Sequence, residues 1–434
     1  MGVGRSDISP PVGTELSGYP VNKYGHRRNK GVHDRLYSRS LALTCGQNAA
    51  LLINNDLVGI SRETLTKTRK AIGRKLGLRE ENIITTCTHT HSGPITVPSL
   101  AWGEVDVDYV DSLPERFLES AMAASNGLHE AKVGFGRGDV EGVSVNRVPL
   151  NAAKGAPIDK QVRVLHFTDK SLAPIATLFN YSCHCICVDA RTEDRFYVSG
   201  DWPSYSMELL GKHGGGQGMF LQGASGDINP AVAWHMRGFD AAEETGRRVA
   251  DEVLKVLGGI AVEDCEELKV HRKDVKLPLQ KLTMKDLVGI LTEFLDQLER
   301  RDKASLDELR PSIRLHREYA ERVIESIENR LPSSIESEIQ ILRLGENVLV
   351  FLPGEVFVEL GREILEKSPF ERTLVAGYSG PYVGYIPTAW AYRGKGYESY
   401  ESAKMLGRPP FAKSIGSVLV RQALGLLKTV AESG

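Results

Sequence analysis

Two histidines stand in Thr88-His89-Thr90-His91-Ser92-Gly93-Pro94, directly after the strand-like run Asn82-Ile83-Ile84-Thr85-Thr86-Cys87. In an extended chain, residues two apart project to one side, so this spacing predicts two imidazoles on one face about 6–7 Å apart. A structural role is the ordinary explanation for one buried histidine; two at a strand end beside Gly-Pro suit chemistry better. They offer two metal ligands, or one ligand with a neighbouring acid or hydrogen-bond donor. A second dense cluster, Tyr181-Ser182-Cys183-His184-Cys185-Ile186-Cys187, alternates three thiols with other side chains. If extended, it puts the thiols on one face and His184 on the other, so they do not ligate one ion. The thiols read as small core residues, because a structural zinc site would show a second cysteine pair. His184 taken alone is a weak candidate ligand.

Gln222-Gly223-Ala224-Ser225-Gly226-Asp227-Ile228-Asn229-Pro230 is a Gly-rich turn after a strand. Such a turn can bring backbone amides against a substrate oxygen, which makes Ser225, Gly226 and Asp227 candidate substrate contacts. Ser225 does not complete a nucleophile elbow, because Asp227 stands where the second glycine belongs. Glu355, after Pro353-Gly354, is expected in a first helical turn, where the dipole favours a carboxylate. Tyr385 and Tyr397 lie in a Gly/Tyr-rich stretch read as a loop carrying aromatic contacts.

The elements that must hold these residues alternate between strand and helix, which predicts an α/β fold with mixed β-sheets flanked by helices. Ser61 is a candidate N-cap for a helix reaching Gly77; further helices are expected over about 107–125, after Asp201, over 240–257 and over 414–430. Leu41–Cys45 and Ala49–Asn54 flank Gly46-Gln47-Asn48, and Ile339–Leu344 and Val348–Leu352 flank Gly345-Glu346-Asn347; both read as hairpins. The run from Ile175 to Val188 reads as one long strand. Leu287, Ile290, Leu291, Phe294, Leu295 and Leu298 draw one helical stripe; Ile313, Ala320, Val323, Ile324 and Ile327 draw another. Together they predict an αα-hairpin over 283–331 inserted into the framework, serving as a packing arm, a lid or a homo-oligomer contact. No internal repeat shows in the sequence. With 54 Lys plus Arg against 56 Asp plus Glu and no long run of like charge, a nucleic-acid or anionic-membrane partner is not expected. No apolar run approaches a membrane span and the first residues offer no secretion signal, so the protein is read as cytoplasmic with its six cysteines reduced.

Eight segments together resemble the catalytic domain of the neutral/alkaline ceramidase family, zinc amidases that cleave the N-acyl bond of ceramide. They are Gly31-Val32-His33-Asp34, the His89/His91 run, Val145-Asn146-Arg147, the His184 segment, Ser199-Gly200-Asp201, Gly226–Pro230, Pro353-Gly354-Glu355, and Tyr385 with Tyr397. They occur in the family's order across nearly the whole of residues 1–434, read as a single catalytic domain without the family's C-terminal immunoglobulin-like domain. The resemblance implies one catalytic Zn²⁺ held by His89, His184, Glu355 and Tyr385. It implies substrate-contacting roles for His91, Arg147 and Tyr397. The family spaces its two tyrosines by twelve residues, as Tyr385 and Tyr397 are spaced here.

One departure bears on substrate. Asn229 replaces the serine of the family's Gly-Asp-x-Ser-Pro turn, and an amide hydrogen-bonds but forms no acyl-enzyme. The expected activity is therefore metal-activated hydrolysis of an amide bond in a small or soluble N-acyl compound, with Asn229 orienting the substrate. Ceramide or another lipid amide, an ester on the same metal, and a ligand-binding protein without turnover are the rival expectations.

Overall fold

The computed structural model describes residues 1–148, 156–300, 305–394 and 396–432. Three four-stranded sheets organise it. The first joins Gly2–Asp7, Tyr37–Cys45, Asn48–Asn55 and Ile83–Cys87; the second joins Lys132–Asp139, Gln161–Thr168, Pro174–Tyr181 and Gln217–Gln222. The third joins Leu268–Pro278, Ser334–Leu344, Asn347–Phe351 and Arg372–Ala376. In each, the first three strands run antiparallel and the fourth lies parallel to the third. A parallel neighbour needs a crossover, supplied in turn by the helices Arg62–Leu76, Trp202–Lys212 and Val358–Lys367. A second helix follows each fourth strand: Val107–Asn126, Gly238–Leu257 and Ile415–Glu432. The chain thus repeats one strand and helix order three times, a repeat of topology that the sequence does not display.

Period-two alternation explains how the three units pack. Leu41, Leu43, Ala50 and Leu52 point inward from the first sheet to meet Leu165, Leu178 and Leu221 of the second and Leu342, Leu349 and Leu374 of the third. The intervening residues face their own helices: Leu51 and Ile53 meet Ile72 and Ala121, Val164 and Phe179 meet Trp202 and Val249, and Ile341 and Val350 meet Ile364 and Leu419. Each sheet is thereby covered on both sides.

Local signals account for several ends. The Ser61 side chain accepts the Thr64 N–H and Gly77 closes the helix in the left-handed region. Both hairpins are tighter than expected. Cys45 pairs with Asn48 and Leu344 with Asn347, so each loop has two residues, and Gly46 and Gly345 both take φ 58°. The expected strand over Ile175–Val188 stops at Tyr181, where the neighbouring strand ends at Gln222. Beyond it the His184 N–H turns to the Ile228 carbonyl at 3.0 Å. Cys183, Cys185 and Cys187 stay apolar because they are core, not ladder.

Helices Met284–Glu299 and Leu306–Ile327 lie between two strands that pair with each other in the third sheet, and they pack together around Ile290, Tyr319 and Val323. Among the described residues, no helix is long and apolar enough to cross a membrane.

Candidate metal centre

The C-terminal ends of the third and fourth strands of all three sheets converge. Gly377 N–H donates to the Gln222 carbonyl at 2.9 Å and Cys87 N–H to the Tyr378 carbonyl at 3.1 Å. Segments leaving these ends carry His89 and His91 from the first unit, His184 and Ser225 from the second, and Glu355, Tyr378, Tyr382 and Tyr385 from the third.

His89 adopts φ 66°, unusual for a residue with a Cβ and costing about 1–2 kcal/mol. Its N–H donates to the Leu57 carbonyl at 3.0 Å and its Nδ1 lies 2.7 Å from the Val58 carbonyl. The expected extended geometry therefore breaks at His89. The two rings still meet, with centroids 4.9 Å apart and Nε2 atoms 3.2 Å apart. His184 Nδ1 lies 2.6 Å from the Ser225 carbonyl and 3.1 Å from that of Ile228. Carbonyls only accept, so in each ring a proton is assigned to Nδ1, which turns Nε2 the other way. Both Nε2 atoms lie 3.2 Å from Glu355 Oε2. With both Nε2 atoms unprotonated, three acceptors would meet at one point, which favours a cation among them. Donors bound tetrahedrally at about 2.0–2.1 Å stand about 3.3–3.4 Å apart, so the spacing fits a zinc-sized ion.

His91 adds a further buried nitrogen, and His89, His91 and His184 form the compact donor group found among the described residues. His91 Nδ1 is buried without a hydrogen-bond partner. Gly18 permits this approach, since a Cβ there would lie 2.4 Å from the His91 ring. Burial, with His89 and His184 nearby, holds the His91 pKa well below its ordinary value, and burial lowers that of His184 to about 4. Burial alone would raise the Glu355 pKa; whenever an adjoining imidazole nitrogen carries a proton, its charge outweighs burial and holds the carboxyl well below the usual range.

Glu355 sits in the two-residue strand Glu355–Val356 paired with Tyr385–Ile386, and the helix starts only at Val358, so the first-turn expectation gives way to a strand position. This pairing brings Tyr385 beside the cluster. Arg147 Nη2 donates to the Tyr385 hydroxyl at 2.9 Å and to the Gly226 carbonyl at 2.8 Å. Its Nη1 donates to Asn229 Oδ1 at 3.1 Å and its Nε to Glu398 at 3.0 Å. Tyr397, in a single π-helical turn rather than the expected loop, sets its ring 5.7 Å from that of Tyr385.

Ser225, Gly226 and Asp227 lie behind the cluster. Ser225 Oγ shares a hydrogen bond with the Tyr378 hydroxyl at 3.0 Å, and the buried Asp227 carboxylate accepts from Val358 N–H and Asn146. Gly226 packs where a Cβ would lie 2.4 Å from the Glu355 carbonyl oxygen. Sequence reasoning missed Tyr382, whose hydroxyl donates to Glu355 Oε1 at 2.6 Å. Its only signal was membership of the same tyrosine-rich stretch as Tyr385. The cavity beside the cluster is about 20 Å³, lined by His89, His91, Glu355, Tyr382, Tyr385 and Tyr397 among others. That is room for roughly one water.

The arrangement is that of an α/β protein with a buried histidine-carboxylate centre suited to a cation. The profile of "Neutral/alkaline non-lysosomal ceramidase, N-terminal" matches residues 1–239, and the chain belongs to that family. Neutral ceramidase A of Dictyostelium discoideum is 24% identical over 259 residues, covering 53% of this chain and 35% of that protein. The neutral ceramidase of Mycobacterium tuberculosis is 21% identical over 447 residues, 86% of this chain and 69% of that one. The chain spans about a third of the length of the Dictyostelium relatives it matches. The crystal structure of neutral ceramidase from Pseudomonas aeruginosa superposes with a TM-score of 0.71 at 18% identity, over 99% of this chain and 74% of that one. A ceramidase complexed with C2 gives 0.75 at 18%, over 100% and 75%. The shared fold is therefore that of neutral ceramidases.

Proposed function

We propose that this protein is a zinc-dependent hydrolase cleaving the amide bond of a small or soluble N-acyl compound with a metal-activated water. The observation that carries this reading is the convergence of two imidazole nitrogens on one carboxylate oxygen, each at 3.2 Å, a spacing that suits ligands of one ion. His89, His184 and Glu355, with the Tyr385 phenol as fourth ligand, would hold a Zn²⁺ ion, which would supply Lewis-acid activation of water and of the acyl carbonyl. The other roles belong to the chain's own side chains. His91, kept neutral by burial, donates to the developing oxyanion or passes a proton to the leaving amine. Arg147 spends four of its N–H contacts on Glu398, Asn229, Gly226 and Tyr385, so it orients the phenol and has one Nη1–H left for substrate oxygen. Asn229 gives its oxygen to Arg147 and keeps its amide N–H for the substrate. Tyr397, 41% exposed, lines the cavity beside the cluster.

Asn229, where the family's turn has a serine, supports a substrate other than ceramide; the ceramidase names of the relatives support a lipid amide instead. Metal analysis with turnover of a panel running from short N-acyl amines through esters to long-chain ceramide separates these readings. One equivalent of zinc, turnover of short amides, and loss of both in His89→Ala are expected. Wild-type protein that is folded yet binds no divalent metal would overturn the proposal. Tight ligand binding without turnover, unchanged by Asn229→Ser, would favour a binding protein.

A further inference from the structure

The apolar arc of helix Met284–Glu299 is wider than its hairpin partner covers. Ile290 is buried against Tyr319 and Val323 of the second helix, Leu287 packs on the same cluster, and Phe294 stacks on His316. The stripe predicted as one face is therefore split. Met284, Val288, Leu291 and Leu295 are 61, 59, 47 and 58% exposed. Their spacing of four, three and four residues, continued by Leu298, is a heptad seam of alternating d and a positions. A seam of this kind matches another helix.

We infer that this face pairs with the same face of a second copy, the two helices running antiparallel about a twofold axis. The argument is charge complementarity. Packing Leu291 opposite the partner's Leu295, and Val288 opposite the partner's Leu298, makes four apolar layers symmetric about residue 293. In that register the flanking e positions, Lys285, Thr292 and Glu299, meet e positions of the second copy. Lys285 of each copy then faces the other's Glu299, giving two opposite-charge pairs, and Thr292 meets Thr292. Neither Lys285 nor Glu299 has an ion-pair partner among the described residues. A parallel arrangement would set e against g, and the g residues Leu287 and Phe294 are already packed on their own hairpin. The helix carries Asp286, Glu293, Asp296 and Glu299 against Lys285, which disfavours an anionic lipid surface. A seam this short falls below a standard interface of about 1,200–2,000 Å², so the association is expected in the micromolar range.

The same helix reaches the candidate site from its other edge. Glu293 accepts from the buried Lys404 at 2.7 Å, and Lys404 lies in the turn whose Ser402 and Met405 line the small cavity. Pairing would steady a helix tethered to that turn.

Sedimentation equilibrium of the full chain across a concentration series tests the inference. A monomer–dimer equilibrium is expected, weakened about tenfold by Lys285→Glu, which replaces two attractive pairs by two repulsive ones. Lys285→Glu with Glu299→Lys should restore wild-type association, a rescue that no unrelated defect would produce. A chain that stays monomeric at every concentration, or a dimer indifferent to both charge variants, overturns the inference. So does flotation with neutral phosphatidylcholine vesicles that Leu291→Glu abolishes, which would make lipid the occupant.

Discussion

Glu355 spends its two carboxylate oxygens differently: Oε2 faces both imidazoles at 3.2 Å, while Oε1 accepts the Tyr382 hydroxyl at 2.6 Å. The phenol thereby fixes the rotation of the carboxylate and aims the other oxygen at the cluster. Tyr382→Phe removes that restraint with little change of volume, and zinc affinity measured by chelator competition should fall about 10–100-fold, as for other groups that orient a ligand. The ring itself fits tightly, since a Cβ on Gly59 would approach it to 2.9 Å, so the fold should survive the change. His184 allows a separate test through pH. Burial lowers its pKa to about 4, against about 6.5 in an unfolded chain. Between those values the unfolded state binds a proton that the folded metal-free protein does not, so stability falls as pH drops through that window. One such group changes stability by at most about 1.4 kcal/mol per pH unit. Glu355 is held below the usual carboxylate range. Metal-free wild type should therefore lose stability relative to His184→Gln between pH 7 and 4.5 in urea denaturation; a pH-independent difference would refute the assignment of a neutral buried imidazole.

Where one pattern governs an element, the element was legible. Ser61 through Gly77 carries a cap and a terminating glycine, and it forms the helix those signals describe. The readings that failed are those where tertiary partners overrule local preference. His89 takes a left-handed backbone because the Leu57 and Val58 carbonyls hold its N–H and Nδ1. Glu355 becomes a strand residue because Tyr385 pairs with it across the centre. The identities of His89, His184, Glu355 and Tyr385 came from resemblance, since no spacing rule joins residues contributed by three separate sheets. Arg69 shows how tightly such distant elements are tied. On the helix Arg62–Leu76 it reaches the third sheet, donating to Glu338 through Nη1 at 2.8 Å and to Gln340 through Nη2 at 2.9 Å. Both charged partners are buried. Glu338→Ala strands the guanidinium and should cost about 3–5 kcal/mol in urea denaturation, whereas Arg69→Met with Glu338→Leu should cost much less. Equal losses would show that the pair contributes packing alone.

The whole molecule places its candidate centre where three units of one topology meet, and this separates what builds the site from what covers it. The donors leave strand ends whose cross-links, Gly377 to Gln222 and Cys87 to Tyr378, join different sheets over a shared apolar core. That common order escaped the sequence because a sheet unit is specified by alternation and turn chemistry, which many unrelated residues satisfy. The 284–327 helices belong to none of the three units. Pro278 pairs with Ser334, so the strands that bracket the hairpin are already adjacent and a short turn can join them. Replacing residues 281–332 with a Gly-containing turn should leave a folded protein whose zinc content matches that of the full chain, because His89, His184, Glu355 and Tyr385 all lie outside the excised stretch. The turn around Lys404 would lose Glu293 and its apolar cover, so turnover should fall or KM rise while metal content holds. Circular dichroism, metal analysis and steady-state kinetics on one preparation distinguish these effects. Loss of zinc from a folded excision variant would show that the hairpin helps form the centre instead of roofing it.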